Sequence, residues 1–170
     1  MSLNETASDV TLKEAGDQLA EVLLQRKYTM ATAESCTGGW VAKILTDRAG
    51  SSSYLLAGIV TYSNDAKKEL LGVTDASLDA HGAVSEPVVR EMVAGALATT
   101  GASVAVAISG VAGPDGGSGE KPVGTVWFAW GRSLAQTEAV VEYFIGDRDA
   151  VRRQAVLFAI QGVQAYLGNE

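Results

Sequence analysis

The apolar positions along the chain repeat with two periods, and the periods alternate. Leu12, Ala15, Leu19, Val22 and Leu23 recur at three- and four-residue intervals, which predicts an amphipathic helix over residues 11–26. Residues 28–33 read as a short strand. Trp40, Val41, Ile44 and Leu45 return to helical spacing after Gly38-Gly39, and Gly50 with the following serines closes that helix. A second strand is predicted over residues 54–62. A short helix over 66–71 follows, introduced by the capping side chains Ser63, Asn64 and Asp65 and ended by Gly72. Another short helix covers 75–80, and Ser85-Glu86-Pro87 opens a longer one reaching residue 100.

Residues 104–108 are wholly apolar, as expected of a central strand covered on both faces. Residues 110–119 form a glycine-rich stretch around Pro114 that fits neither period. Residues 124–130 and 137–144 read as two strands joined by a hairpin, and Asp147 opens a last helix that ends near residue 166. Helices alternating with strands, with two adjacent strands late in the chain, predict an α/β fold whose mixed sheet lies between helical layers. A length of 170 residues fits one domain, 1–170, with one core.

Composition narrows the function. No apolar run approaches the roughly 18 residues of a membrane-spanning helix, so no membrane association is expected. A net charge of −7 would repel a nucleic-acid backbone. Residues 1–9 are polar and lack the basic-then-apolar order of an export signal, and the single Cys36 forms neither an internal disulfide nor a zinc cluster. The expected compartment is the cytoplasm.

Ala33-Glu34-Ser35-Cys36-Thr37-Gly38-Gly39 runs off a predicted strand into a helix start. N–H groups at such a start suit a phosphate or the oxyanion of acyl transfer, and Gly38 and Gly39 let a ligand approach the backbone. Ser35 stands where a nucleophile could stand, with Cys36 and Thr37 beside it. A helix cap formed by Ser35 or Thr37 is the plainer alternative. Thr61-Tyr62-Ser63-Asn64-Asp65-Ala66-Lys67 holds the matching strand-to-helix position on another strand, so its side chains reach the same end of the sheet, where open α/β sheets bind ligands. Lys67, in the first helical turn, has its pKa lowered by the helix dipole and by burial, which makes it a base for Ser35. Tyr62 can donate to the serine, the lysine or a leaving group. A solvated Lys67-Lys68 face is the alternative.

His81 with Ser35 or with Cys36 is a weaker nucleophilic pair, because His81 has no evident carboxylate to orient it. Ser109-Gly110-Val111-Ala112-Gly113-Pro114-Asp115-Gly116-Gly117 follows the most apolar strand. Its glycines could expose N–H groups to a phosphate or ribose, although it is neither a Walker loop nor a dinucleotide fingerprint, and a flexible surface loop is the alternative. Arg148, opening the last helix, together with Arg152 or Arg153 reads either as a bidentate phosphate site or as a salt-bridge partner of Asp147 and Asp149.

These segments, with Gly82-Ala83-Val84-Ser85 and Lys121-Pro122-Val123-Gly124-Thr125-Val126, resemble the CinA carboxy-terminal domain family over nearly the whole chain. The resemblance implies a three-layer α/β/α sandwich around a mixed, mostly parallel sheet. Stand-alone members of that family are nicotinamide-nucleotide amidohydrolases, which convert nicotinamide mononucleotide to nicotinic acid mononucleotide and ammonia in pyridine-nucleotide salvage. By this resemblance Ser35 attacks the carboxamide, Lys67 is its base and Tyr62 assists, with no metal and no cofactor. Cys36, Thr37, Gly38, Gly39, Asn64, Ser109, Gly110, Gly113 and Arg148 are the expected substrate-binding positions. Longer relatives carry an extra amino-terminal domain for nucleotide pyrophosphate hydrolysis, an activity not expected here. A non-catalytic nucleotide-binding or regulatory module is the alternative function, and a homodimer is the default assembly.

Overall fold

The computed structural model describes residues 7–169, so most of the amino-terminal segment read for an export signal lies outside the described residues. Along the chain run α1 (Asp9–Arg26), β1 (Met30–Glu34), α2 (Trp40–Thr46), β2 (Leu55–Val60), α3 (Asn64–Leu71), α4 (Asp75–His81), α5 (Glu86–Thr100), β3 (Val104–Gly110), β4 (Thr125–Gly131), β5 (Thr137–Tyr143) and α6 (Arg148–Gly168). The strands form one sheet in the order β2-β1-β3-β4-β5. β1 pairs parallel with both β2 and β3, whereas β4 pairs antiparallel with β3 and β5 with β4. The sheet is therefore mixed, with its parallel half at β2, β1 and β3.

The apolar run of β3 is divided between two layers by the alternation of a pleated strand. Val104, Val106 and Ile108 face α1, α2 and α6, joined by Met30, Phe128 and Trp130 from the neighbouring strands. Ala105 and Ala107 face the other way with Ala31, Ala33 and Ala129, against Val88, Val89, Met92 and Val93 of α5. Large side chains fill one layer and alanines the other, giving the three-layer α/β/α sandwich. On the crowded side, Phe128 and Phe158 stand 4.7 Å apart at a tilt, and Trp130 donates its indole N–H to the Ala159 carbonyl at 3.1 Å.

Local chemistry sets the element ends. Ser8 caps α1 by accepting from Thr11, and Ser63 caps α3 by accepting from Ala66. Helix α3 thus begins two residues earlier than its hydrophobic spacing implies, because Asn64 and Asp65 form its first turn rather than its cap. Gly72 and Gly101 end α3 and α5 in the left-handed conformation. The carboxyl ends of β1, β2 and β3 lie side by side, and beyond them stand Ser35, Thr61 and Tyr62, and the 111–124 loop. Among the described residues, no helix is long and apolar enough to cross a membrane.

Helix α5 approaches the end of α3 so closely that a Cβ on Gly95 would fall 1.9 Å from the Leu71 carbonyl oxygen. Gly95→Ala forces these backbones apart, and the expected loss is about 1–3 kcal/mol despite the better helix propensity of alanine. Urea titration should show a lower midpoint at unchanged slope; an unchanged midpoint would mean that the two helices separate without cost.

Candidate active site

The site begins with a carboxylate. Glu34, the last residue of β1, is completely buried, and its two oxygens accept four hydrogen bonds. Oε1 takes the Thr37 hydroxyl at 2.7 Å and the Val41 N–H at 3.0 Å; Oε2 takes the Thr32 hydroxyl and the Ala42 N–H, both at 3.0 Å. Helix α2 is thus capped by Glu34. Its cap position, Gly39, makes no side-chain bond, so neither Ser35 nor Thr37 is a helix cap. The first free N–H groups of α2, read from the sequence as a ligand cradle, point at the protein's own carboxylate. Thr37 is fully buried, and with Gly38 and Gly39 it lines a separate concavity beside Trp40, Lys43 and Arg152. None of these three lines the pocket at Ser35, and left-handed φ values of 61° and 94° at Gly38 and Gly39 lead the chain into α2.

Ser35 is held by the sheet itself, since its N–H continues the ladder by donating to the Ile108 carbonyl at 3.0 Å. Its Oγ meets the Nζ of Lys67 at 3.0 Å, across 32 residues. Lys67 is 1% exposed, and its other partner is the Thr61 carbonyl at 2.7 Å. Burial strips water from this amine and pushes its pKa below the ordinary lysine value of 10.5, outweighing the opposing effect of the neighbouring Cys36. The solvated-face alternative applies to Lys68, which pairs with Asp65 and Asp75, both at 3.1 Å.

Ser35 and Lys67 open into a pocket of about 270 Å³. Cys36, Tyr62, Asn64, Ser109, Gly110, Gly113 and Arg148, all expected at a site, line it. Tyr62 is 61% exposed and its hydroxyl accepts from Arg148 at 2.9 Å, so in this structure it meets the arginine rather than the serine or the lysine. Arg148 also donates to the Gly113 carbonyl at 2.7 Å. It pairs with neither neighbouring acid: Asp147 caps α6 by accepting from Ala150, and Asp149 takes Arg153. Asp115 and Gly116 of the glycine-rich loop also line the pocket, as do Ala83 and Val84, to which sequence reasoning gave no role. Ala83 and Val84 are brought there by a loop pinned at its ends, where Lys121 donates to the His81 carbonyl and Ser85 to the Gly82 carbonyl.

A thiol–imidazole pair does not form. Burial pushes the Cys36 thiol up to about 11, against any thiolate at neutral pH, and His81 sits exposed at the end of α4, away from the pocket lining.

The sequence profile of the CinA C-terminal domain matches residues 12–167. The chain belongs to the CinA C-terminal domain family. It is 55% identical over 163 residues to the nicotinamide-nucleotide amidohydrolase PncC of Escherichia coli (strain K12), covering 95% of this chain and 99% of the relative. It is also 54% identical over 157 residues to a putative competence-damage inducible protein of Symbiobacterium thermophilum, which accounts for 88% of this chain and 37% of that longer one. The crystal structure of a CinA superfamily protein from Klebsiella pneumoniae superposes with a TM-score of 0.89 at 42% identity, covering 94% and 99% of the two chains.

In this CinA domain buried Glu34 and buried Lys67 make opposite predictions. Glu34→Gln keeps the shape but leaves a buried N–H facing an amide donor, and should lower stability by about 1–3 kcal/mol in chemical denaturation. Lys67→Met removes a group whose folded pKa lies below its unfolded one. The folded state then pays for burying the charge at pH values below the folded pKa, a penalty that vanishes as pH rises past 10.5. The methionine variant should therefore unfold at a higher temperature than wild type at pH 7, with the gap closing above pH 10; a gap that widened with pH would reverse the sign of the shift.

Proposed function

We propose that this CinA domain is a nicotinamide-nucleotide amidohydrolase that converts nicotinamide mononucleotide to nicotinic acid mononucleotide and ammonia, with Ser35 as nucleophile and Lys67 as base. The observation that carries the mechanism is the 3.0 Å contact between Lys67 Nζ and Ser35 Oγ at the foot of the pocket, made by an amine whose burial favours its neutral form. The near full-length identity to a relative named for this activity supports the substrate.

Neutral Lys67 donates one N–H to the Thr61 carbonyl, which leaves its lone pair for the Ser35 hydroxyl. As Oγ attacks the carboxamide carbon, its proton passes to Nζ, and the carbonyl oxygen becomes an oxyanion. The backbone bonds that close the turn run from Gly38 to Ser35 and from Trp40 to Thr37; the N–H groups of Cys36 and Thr37 enter neither and are the donors for this oxyanion. The C–N bond breaks as Lys67 returns the proton to the departing nitrogen, releasing ammonia and an acyl ester on Ser35. Water then attacks the ester, Lys67 takes its proton and passes it to Oγ, and the acid leaves. Tyr62 and Arg148, held together at the pocket wall, receive the phosphate end of the nucleotide, while Asn64, Ser109, Gly110 and Gly113 line its path. Such a reaction belongs to cytoplasmic pyridine-nucleotide salvage.

Purified protein in chelator-treated buffer should release ammonia and nicotinic acid mononucleotide in equal amounts, and Ser35→Ala or Lys67→Ala should each lower kcat by at least ~10³-fold. The rate constant kcat/KM should fall as pH drops through one ionisation lying below 10.5, since protonated Lys67 cannot accept the serine proton. Nucleotide binding without ammonia release in wild type would instead assign a sensing module, and a pH profile flat up to 10.5 would assign the base to another group.

A further inference from the structure

A concavity of about 570 Å³ lies behind the catalytic turn, walled in part by Gly38, Gly39, Trp40 and Arg152. Its other cations are engaged by acids: Lys13 by Asp17 and Lys43 by Asp47. Arg152 binds backbone instead. Its Nε donates to the Cys36 carbonyl at 3.1 Å and its Nη2 to the Thr37 carbonyl at 3.3 Å, two successive peptides reached from more than a hundred residues away. Stacking keeps the guanidinium in place, for Arg152 and Arg153 lie 5.3 Å and 5.1 Å from the centroid of the Trp40 ring.

The consequence follows from peptide geometry. A trans peptide points its C=O and its N–H in opposite directions. Arg152 belongs to α6 on one face of the sheet, and Lys67 to α3 on the other. With the Cys36 carbonyl turned toward Arg152, the Thr37 N–H of the same peptide is turned toward the side where Ser35 meets Lys67. The guanidinium charge pulls on that carbonyl and so strengthens the N–H as a donor.

We propose that Arg152 is a positioning residue for the reaction at Ser35: by holding the Cys36 and Thr37 carbonyls it aims the Thr37 N–H at the oxygen that gains negative charge during attack. The inference rests on Ser35 being the nucleophile proposed above, so its test reads the serine directly as well as the deamidation. Arg152→Gln, Arg152→Lys and Arg153→Gln are compared with wild type by kcat and KM for nicotinamide mononucleotide, by the rate at which an alkyl fluorophosphonate labels Ser35, and by thermal unfolding. Arg153 shares the Trp40 stack and pairs with Asp9 and Asp149 but reaches neither carbonyl, so its variant reports the loss of stacking and of these ion pairs without releasing the turn.

The expected result for Arg152→Gln is a kcat about 100-fold lower at a KM within about threefold, with labelling slowed in parallel, while Arg153→Gln stays near wild type. Arg152→Lys keeps the charge but not the two-pronged reach, and should fall between; it also decides the matter if the glutamine variant fails to fold. Wild-type rates of both turnover and labelling in either folded Arg152 variant overturn the inference, as does an equal loss in Arg153→Gln. A wild-type protein that labels at Ser35 with this Arg152 dependence, yet leaves nicotinamide mononucleotide intact, upholds the positioning role and removes the substrate. A wild-type protein that does neither overturns both.

Discussion

The buried carboxylate of Glu34 is the constraint on which the site is built. An ionised group without water is costly to bury unless every oxygen is hydrogen-bonded, and here two threonine hydroxyls and two helix N–H groups supply the donors. Those donors come from within β1, from the turn and from α2, so one side chain welds the strand end, the turn and the helix start into a unit. Ser35 is the next residue in the chain. It inherits this rigidity, and a side chain on a rigid element holds its distance to a partner, here Lys67, better than one on a mobile loop. The same bonds occupy the start of α2, which moves the pocket to the space beyond the ends of β1, β2 and β3.

Lys67 is buried on opposite terms. Glu34 is resolvated by protein donors, whereas Lys67 keeps only the Thr61 carbonyl and the Ser35 hydroxyl, so loss of water dominates and its proton is held less tightly. A group arranged this way costs stability, and in the proposed mechanism it supplies a base at a pH where an ordinary lysine would be charged. The alanine-rich layer of the sheet matters here too. Ala31, Ala33, Ala105 and Ala107 keep the face toward α5 thin, and Gly95 lets that helix sit against the end of α3, the helix that carries Lys67.

Much of the fold was legible in the sequence because it is written locally. The two hydrophobic periods located the strands and helices, and the wholly apolar residues 104–108 marked the centre of the sheet. The juxtaposition of Ser35 with Lys67 was legible as well, since both follow strands and parallel strands deliver such positions to one end of a sheet. Boundaries were less so at α3, where Asn64 and Asp65 read as caps but turned into helix. Glu34 was visible within its motif, yet nothing local distinguished a buried acceptor of four bonds from an exposed acid.

What the sequence by itself determined is therefore the order of elements and the kinds of chemistry available at their ends. Only the tertiary structure decided which of those groups face one another. Gly38 and Gly39 looked like a ligand cradle until Glu34 took the helix N–H groups behind them; Tyr62 looked like a partner of the serine until Arg148, 86 residues away, reached its hydroxyl. Arg152 read, beside Arg148, as a phosphate ligand until the Cys36 and Thr37 carbonyls took its donors. The physical reason is common to these cases: a hydrogen-bonding group is available to a ligand only if no other part of the chain satisfies it first, and that depends on contacts between residues far apart in sequence.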